Sequence, residues 1–251
     1  MLLARIKNGY MAWHLAAEVG FIDTFEILWI CSKEAEINTE KLLLAQTEGG
    51  YTAFHLAAAS NQIEILKKMW VWAAETQINS KELKENLFLA TDDRGFIAWH
   101  IAVSKVNFEA LETLWLLSQE VEINIDTLLL AQSGAGYTAF QWAAVSKQVV
   151  ILKKIWGWAE ETQINSKELK KKLFLAKDNY GSIAWHLAAI VGSIETLEAL
   201  WICSKEAEIT TEELLLAESE VGYTAFHLAA KTKQVETLKK LWGWAEETEM
   251  N

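Results

Sequence analysis

The sequence predicts an all-α chain built from repeated helical modules, on three observations. A nonapeptide recurs six times: GYMAWHLAA from Gly9, GYTAFHLAA from Gly50, GFIAWHIAV from Gly95, GYTAFQWAA from Gly136, GSIAWHLAA from Gly181 and GYTAFHLAA from Gly222. The intervals between those glycines run 41, 45, 41, 45 and 41 residues, so two module types alternate with a joint period of 86. Each nonapeptide is followed by a segment whose apolar residues gather on about half of a helical circumference. The modules are 9–49, 50–94, 95–135, 136–180, 181–221 and 222–251, with 1–8 matching the tail of a preceding one.

The first element of each module is a turn glycine and a helix that starts at alanine: Ala12, Ala53, Ala98, Ala139, Ala184 and Ala225. Every histidine of the chain occupies one slot in it, at His14, His55, His100, His186 and His227, with Gln141 in the sixth copy. A catalytic histidine is needed once, beside a nucleophile or carboxylate placed for it. One that recurs in every unit serves what every unit needs, which is architecture. Glutamine can fill the slot because it donates and accepts hydrogen bonds, and it does so without exchanging a proton near neutral pH.

The second helix carries the burial. Ile63, Ile65, Leu66, Met69, Trp70, Trp72 and Ala73 form one broad arc, while Glu64, Lys67, Lys68 and Glu75 occupy the rest. So wide an arc needs cover from more than one side. The tryptophans keep the period of 86: Trp13, Trp99 and Trp185; Trp29, Trp115 and Trp201; Trp70, Trp156 and Trp242; Trp72, Trp158 and Trp244. Trp142 alone departs, in the place of a first-helix leucine. Such regularity reads as core. Cys31 and Cys203 share one slot four modules apart, on the order of 30–40 Å at ordinary helix-layer spacing. That distance rules out a bridge between them and predicts small buried apolar side chains.

A short third helix closes each module. Its segment opens with Asn, Ser or Thr as an expected N-cap, followed by acidic residues that suit the positive helix end. NSKELKKKLFLA in the long modules exceeds NTEKLLLA in the short ones by four residues, close to one turn of about 3.6 residues.

The pattern G-Y-T-A-F-H-L-A-A, followed by an amphipathic helix containing E-x-L-K-K-x-W, resembles the ankyrin repeat, whose helix-opening pattern is G-x-T-P-L-H-x-A-A. The resemblance covers the whole chain. Alanine stands at the usual proline position, a tolerated exchange at a helix start, and the modules exceed the usual length of about 33 residues. The resemblance implies an ankyrin-like helical repeat solenoid of six helix pairs with additional short third helices. It also implies protein binding through the turns between modules and the exposed side of the first helix.

Composition narrows the partners. With 34 acidic against 23 basic residues and a net charge of −11, the chain would repel a phosphate backbone, so no nucleic-acid partner is expected. Apolar runs stop short of the roughly 18 residues of a membrane helix, and no export signal is evident. A cytoplasmic protein without a membrane role is expected. No catalytic residue, metal site or cofactor site is expected either, since phosphate-loop, dinucleotide, nucleophile-elbow and zinc-protease motifs are absent and carboxylate pairs such as Glu160 and Glu161 recur as solvated helix ends.

Slots that differ between copies are free to serve function. The inter-module turns differ most: 47–49, 91–94, 133–135, 177–180 and 218–221. Asp93, Arg94, Asp178, Asn179 and Tyr180 are therefore the expected contacts for a protein partner. The chain starts and stops inside modules, which predicts either a fragment of a longer array or uncapped ends capable of end-to-end self-association. The functional expectation is a non-catalytic protein–protein interaction scaffold of the ankyrin-repeat type, with a structural spacer as the alternative.

Overall fold

The computed structural model describes residues 2–75, 79–120, 123–161 and 166–249. They form seventeen α-helices and, among the described residues, no strand. The helices fall into two compact units, 1–123 and 124–251, and the boundary in sequence lies within the third module. The first unit contains α1 (Ala12–Val19), α2 (Ile22–Glu34), α3 (Thr39–Leu43), α4 (Ala53–Ala59), α5 (Ile63–Ala74), α6 (Ser80–Leu89), α7 (Ala98–Ser104) and α8 (Phe108–Glu120). The second contains α9 (Ile125–Leu129), α10 (Ala139–Val145), α11 (Val149–Glu160), α12 (Ser166–Leu175), α13 (Ala184–Val191), α14 (Ile194–Glu206), α15 (Thr211–Leu215), α16 (Ala225–Lys231) and α17 (Val235–Glu249). None is long and apolar enough to cross a membrane.

In the first unit the first helices α1, α4 and α7 pack in succession, as do the second helices α2, α5 and α8, with α3 and α6 against α5. In the second unit α10, α13 and α16 form one such row and α11, α14 and α17 the other, while α12 lies against α11 and α14. The expected arc of α5 is buried from Ile65 to Ala73, and only Ile63 at its start stays partly open. Tryptophans fill both cores: Trp29 and Trp72 stack with ring centres 4.5 Å apart, and Trp201 and Trp244 repeat the pair at 4.5 Å.

Third helices alternate between five and ten residues, a difference one residue larger than the segment lengths indicate. Asn38, Asn124 and Thr210 cap as expected, accepting from the backbone N–H three residues on at 2.8, 3.2 and 3.1 Å. Asn79 does not. It sits in the left-handed region at φ 57°, a conformation asparagine tolerates, and its side chain makes no cap bond. The corresponding Asn165 lies outside the described residues.

The cysteine slot also divides. Cys203 is buried and its thiol is pushed up to about 12 by burial, whereas Cys31 is only half-buried. α12 packs against α14, and its Lys170 lies near enough to Cys203 to act on the thiol.

A polar clamp recurs in each unit. The Trp70 indole N–H donates to Glu120 at 2.6 Å, with the Lys84 ammonium 3.7 Å from the same carboxylate. Trp156 donates to Glu206 at 2.6 Å, and the buried Lys170 bridges Glu206 at 3.0 Å and Glu160 at 3.2 Å. Burial opposes the charge on Lys170, but its bonds to both carboxylates outweigh that and raise its pKa. Burial likewise opposes the Glu206 carboxylate, yet the bonds from Trp156 and Lys170 hold it below its ordinary value.

Candidate functional site

The histidine slot resolves into a double hydrogen bond. The Met11 N–H donates to His14 Nδ1 at 3.1 Å, the Thr52 N–H to His55 Nδ1 at 3.1 Å, and the Ile183 N–H to His186 Nδ1 at 3.1 Å. The opposite ring nitrogen meets a carbonyl: Ala45 at 2.9 Å, Phe96 at 3.1 Å and Ala217 at 2.8 Å. A carbonyl only accepts, so Nε2 carries the proton and Nδ1 accepts through its lone pair. The ring is thereby held neutral in one tautomer, joining the start of the first helix to the chain beyond the third. Gln141 reproduces both halves, accepting from Thr138 N–H at 2.8 Å and donating to Ala176 at 2.8 Å and Ser182 at 2.9 Å. Burial pushes His55 down to about 4 and also lowers His14 and His186. His100 is buried with its Nδ1 3.4 Å from the Ile97 N–H, while His227 is exposed.

The turns before the first helices are stapled to one another through the backbone. Glu48 N–H donates to Asn8 at 3.1 Å and Asp93 N–H to Gly49 at 3.2 Å in the first unit. Asn179 N–H donates to Ala135 at 3.2 Å and Glu220 N–H to Tyr180 at 3.0 Å in the second. Gly50 shows why glycine is needed: its φ is 77°, and a Cβ there would lie 2.6 Å from the Asp93 nitrogen.

This geometry sorts the five expected contact residues. Asp93 is exposed beside its stapled N–H. Arg94 folds over its own turn, donating to Asp92 at 2.8 Å and to the Tyr51 hydroxyl at 2.8 Å, and its guanidinium lies over the Phe96 ring at 4.6 Å. Tyr180 projects outward at 69% exposure. Asn179 is exposed and donates from its side chain to Gly134 at 2.9 Å. Asp178 departs from the expectation of an outward contact: it is buried, and its carboxylate accepts from the N–H groups of Tyr180 at 2.9 Å and Ser182 at 2.8 Å. Asp92 does the same for Arg94 and Phe96. Thr47, Ser133 and Ser219 each accept from one N–H in the equivalent turn. A short oxygen-bearing side chain three residues before the glycine was the available sequence signal for this turn-forming slot.

Among the described residues, no group of three His, Cys, Asp or Glu side chains is arranged to hold a metal ion. Two hollows of about 650 Å³ each lie beside third helices, one edged by Arg5 and Lys41 and the other by Lys171 and Lys172.

No family model matches the chain, and no curated protein sequence matches it. Solved structures do. A chain from the Bd0816 predatory endopeptidase of Bdellovibrio bacteriovorus in complex with immunity protein Bd3460 aligns with a TM-score of 0.63 and 20% identity, covering 96% of this chain and 99% of that one. At that identity the likeness is one of fold. It corrects the expectation of a non-catalytic ankyrin-type scaffold or spacer with no enzymic role, because the neighbouring architecture comes from a structure named for an endopeptidase and its immunity protein. The repeat argument explains why each module needs its histidine. It does not extend to the chemistry of the assembly that a helical frame enters, since folds do not fix functions.

Proposed function

We propose that this chain works in a protein pair of the endopeptidase–immunity kind and recognises its counterpart through the turn tips. The observation that carries the reading is the backbone stapling of successive turns, which holds Asp93 and Arg94 in one unit and Asn179 and Tyr180 in the other on rigid frames. Side chains presented this way lose little freedom on docking. The likeness in fold to a chain of an endopeptidase–immunity complex supports the choice of system. Modules of ankyrin type, stacked as a solenoid, are the architecture we propose for this role. The recurring glycine turn, helix pair and doubly bonded histidine support that kinship.

The test uses the intact chain with Bd0816 as the first counterpart and a panel of fluorogenic peptides as substrates. Hydrolysis by the chain alone assigns it the peptidase side, and suppression of the counterpart's hydrolysis assigns it the immunity side. The absence of both activities, together with the absence of a complex by solution mass, would overturn the reading. Replacing Asp93, Arg94, Asn179 and Tyr180 together with Ser is expected to abolish the complex and leave the melting temperature nearly unchanged.

A further inference from the structure

The two long third helices differ where they face solvent. Positions 85 and 86 of α6 are Glu and Asn, whereas their counterparts 86 residues later in α12 are Lys171 and Lys172. The preceding Lys170 is engaged inside the fold by Glu206 and Glu160, so it takes no part in this outer face. Among the described residues, Lys172 has one marginal ion-pair partner, Glu168 at 3.9 Å on the same helix, with both side chains more than half exposed. Among the described residues, no carboxylate lies within ion-pair distance of Lys171. Lys177, exposed just beyond the helix, adds a third positive charge, and its carbonyl accepts from Gln132 at 2.8 Å.

Lys171 and Lys172 edge an apolar hollow. Leu130, Leu175 and Ala176 line a groove of about 650 Å³ beside Lys171 and Lys172, with Gln132 and Glu168 at its margin. On the other side of Lys171 and Leu175, a smaller hollow of about 240 Å³ is lined by Ile183, Ile209 and Leu214, with Glu213 at its edge. Leu175, at 39% exposure, forms the ridge between them. Ammonium groups standing over exposed leucine fit carboxylates that alternate with apolar side chains.

We infer that this groove docks an acidic, leucine-bearing segment of a protein partner, with carboxylates on Lys171 and Lys172 and apolar side chains on Leu130 and Leu175. An extended polyanion fits poorly, because it would leave the apolar side chains of Leu130 and Leu175 uncovered. The net charge of −11 on each of two copies opposes occupation by a second molecule of this chain. The inference rests on the reading that the chain recognises a protein partner, but it concerns a different surface from the turn tips.

The experiment titrates the intact chain into a short dye-labelled peptide repeating Glu-Glu-Leu, with a Lys-Lys-Leu peptide and inorganic polyphosphate as comparison probes. Lys171→Glu with Lys172→Asn places in α12 the residues α6 carries, so the helix is expected to form. Glu-Glu-Leu binding that weakens about tenfold in this double variant, and weakens with salt, supports the inference. Equal binding by both proteins overturns it, as does equal affinity for Lys-Lys-Leu or polyphosphate binding stronger than peptide binding. A concentration-dependent dimer lost in the double variant would assign the groove to a second copy and equally overturn the partner assignment. No counterpart protein enters the assay, so its failure leaves the endopeptidase–immunity reading to its own test.

Discussion

Residues 1–123 and 124–251 carry the same modules at a spacing of 86, yet the two units treat corresponding positions differently. In the first, the histidine slots at 14, 55 and 100 are all buried imidazoles. In the second, the slots hold Gln141, the buried His186 and the exposed His227. The clamp also differs, with a buried Lys170 bridging two carboxylates in one unit and a more open Lys84 in the other. A repeat therefore specifies the shape of a slot and leaves its ionisable chemistry open.

The largest effect expected from this comparison is on acid stability. A buried imidazole whose pKa is depressed binds fewer protons folded than unfolded, so its stability is complete above about 6.5 and lost as pH falls towards the folded value. For His55, lowered from 6.5 to about 4, the loss at the acid end is about 3 kcal/mol. Protonation would also remove the lone pair that accepts the Thr52 N–H. Hydrogen exchange at pH 5 against pH 7 is expected to show protection falling further in residues 1–123 than in 124–251. Gln141→His is expected to add to the acid sensitivity of the second unit, where His186 is the one buried imidazole among the described residues. Equal loss in both units of the unaltered chain would break the comparison.

A smaller difference is expected at the clamps. Glu206→Ala leaves the buried Lys170 with the more exposed Glu160 alone and strips Trp156 of its acceptor, at a cost of about 1–2 kcal/mol in urea melts. Glu120→Ala is expected to cost less, since Lys84 retains more access to water. Glu206→Gln, which keeps an acceptor for the indole, should recover part of the loss. A larger cost at Glu120 than at Glu206 would reverse the ranking drawn from burial.

The smallest effect concerns an exposed slot on the second helices. Val71 in α5 is 54% exposed, and its counterpart in α11 is Gly157, where an added Cβ meets nothing within 4 Å. Gly157→Ala is expected to stabilise by about 0.5–1 kcal/mol, because a helical glycine is costly and the methyl has room. A thermal melt reads the change. Destabilisation would mean that the second unit needs glycine there for a reason outside local packing.

Periodicity was sufficient to locate the helix starts at each recurring alanine, the arc of α5 and the architectural role of the histidine slot, because each depends on contacts that every module repeats. Sequence variation also marked the turns that carry Arg94 and Tyr180. It misread Asp178, since a carboxylate that varies between copies looks free until its backbone partners are known, and those partners depend on how the turn closes. The exchange of Glu85 and Asn86 for Lys171 and Lys172 is legible in the sequence, but the two hollows beside Lys171 exist only where residues from different elements converge. Cys31 and Cys203 share one slot in the sequence and differ in burial, a difference that only packing against other elements sets. Local patterning determines which residues can form a helix and which face must be covered. Which neighbour supplies that cover, and therefore which charges lose contact with water, is decided by tertiary packing between residues far apart in the chain.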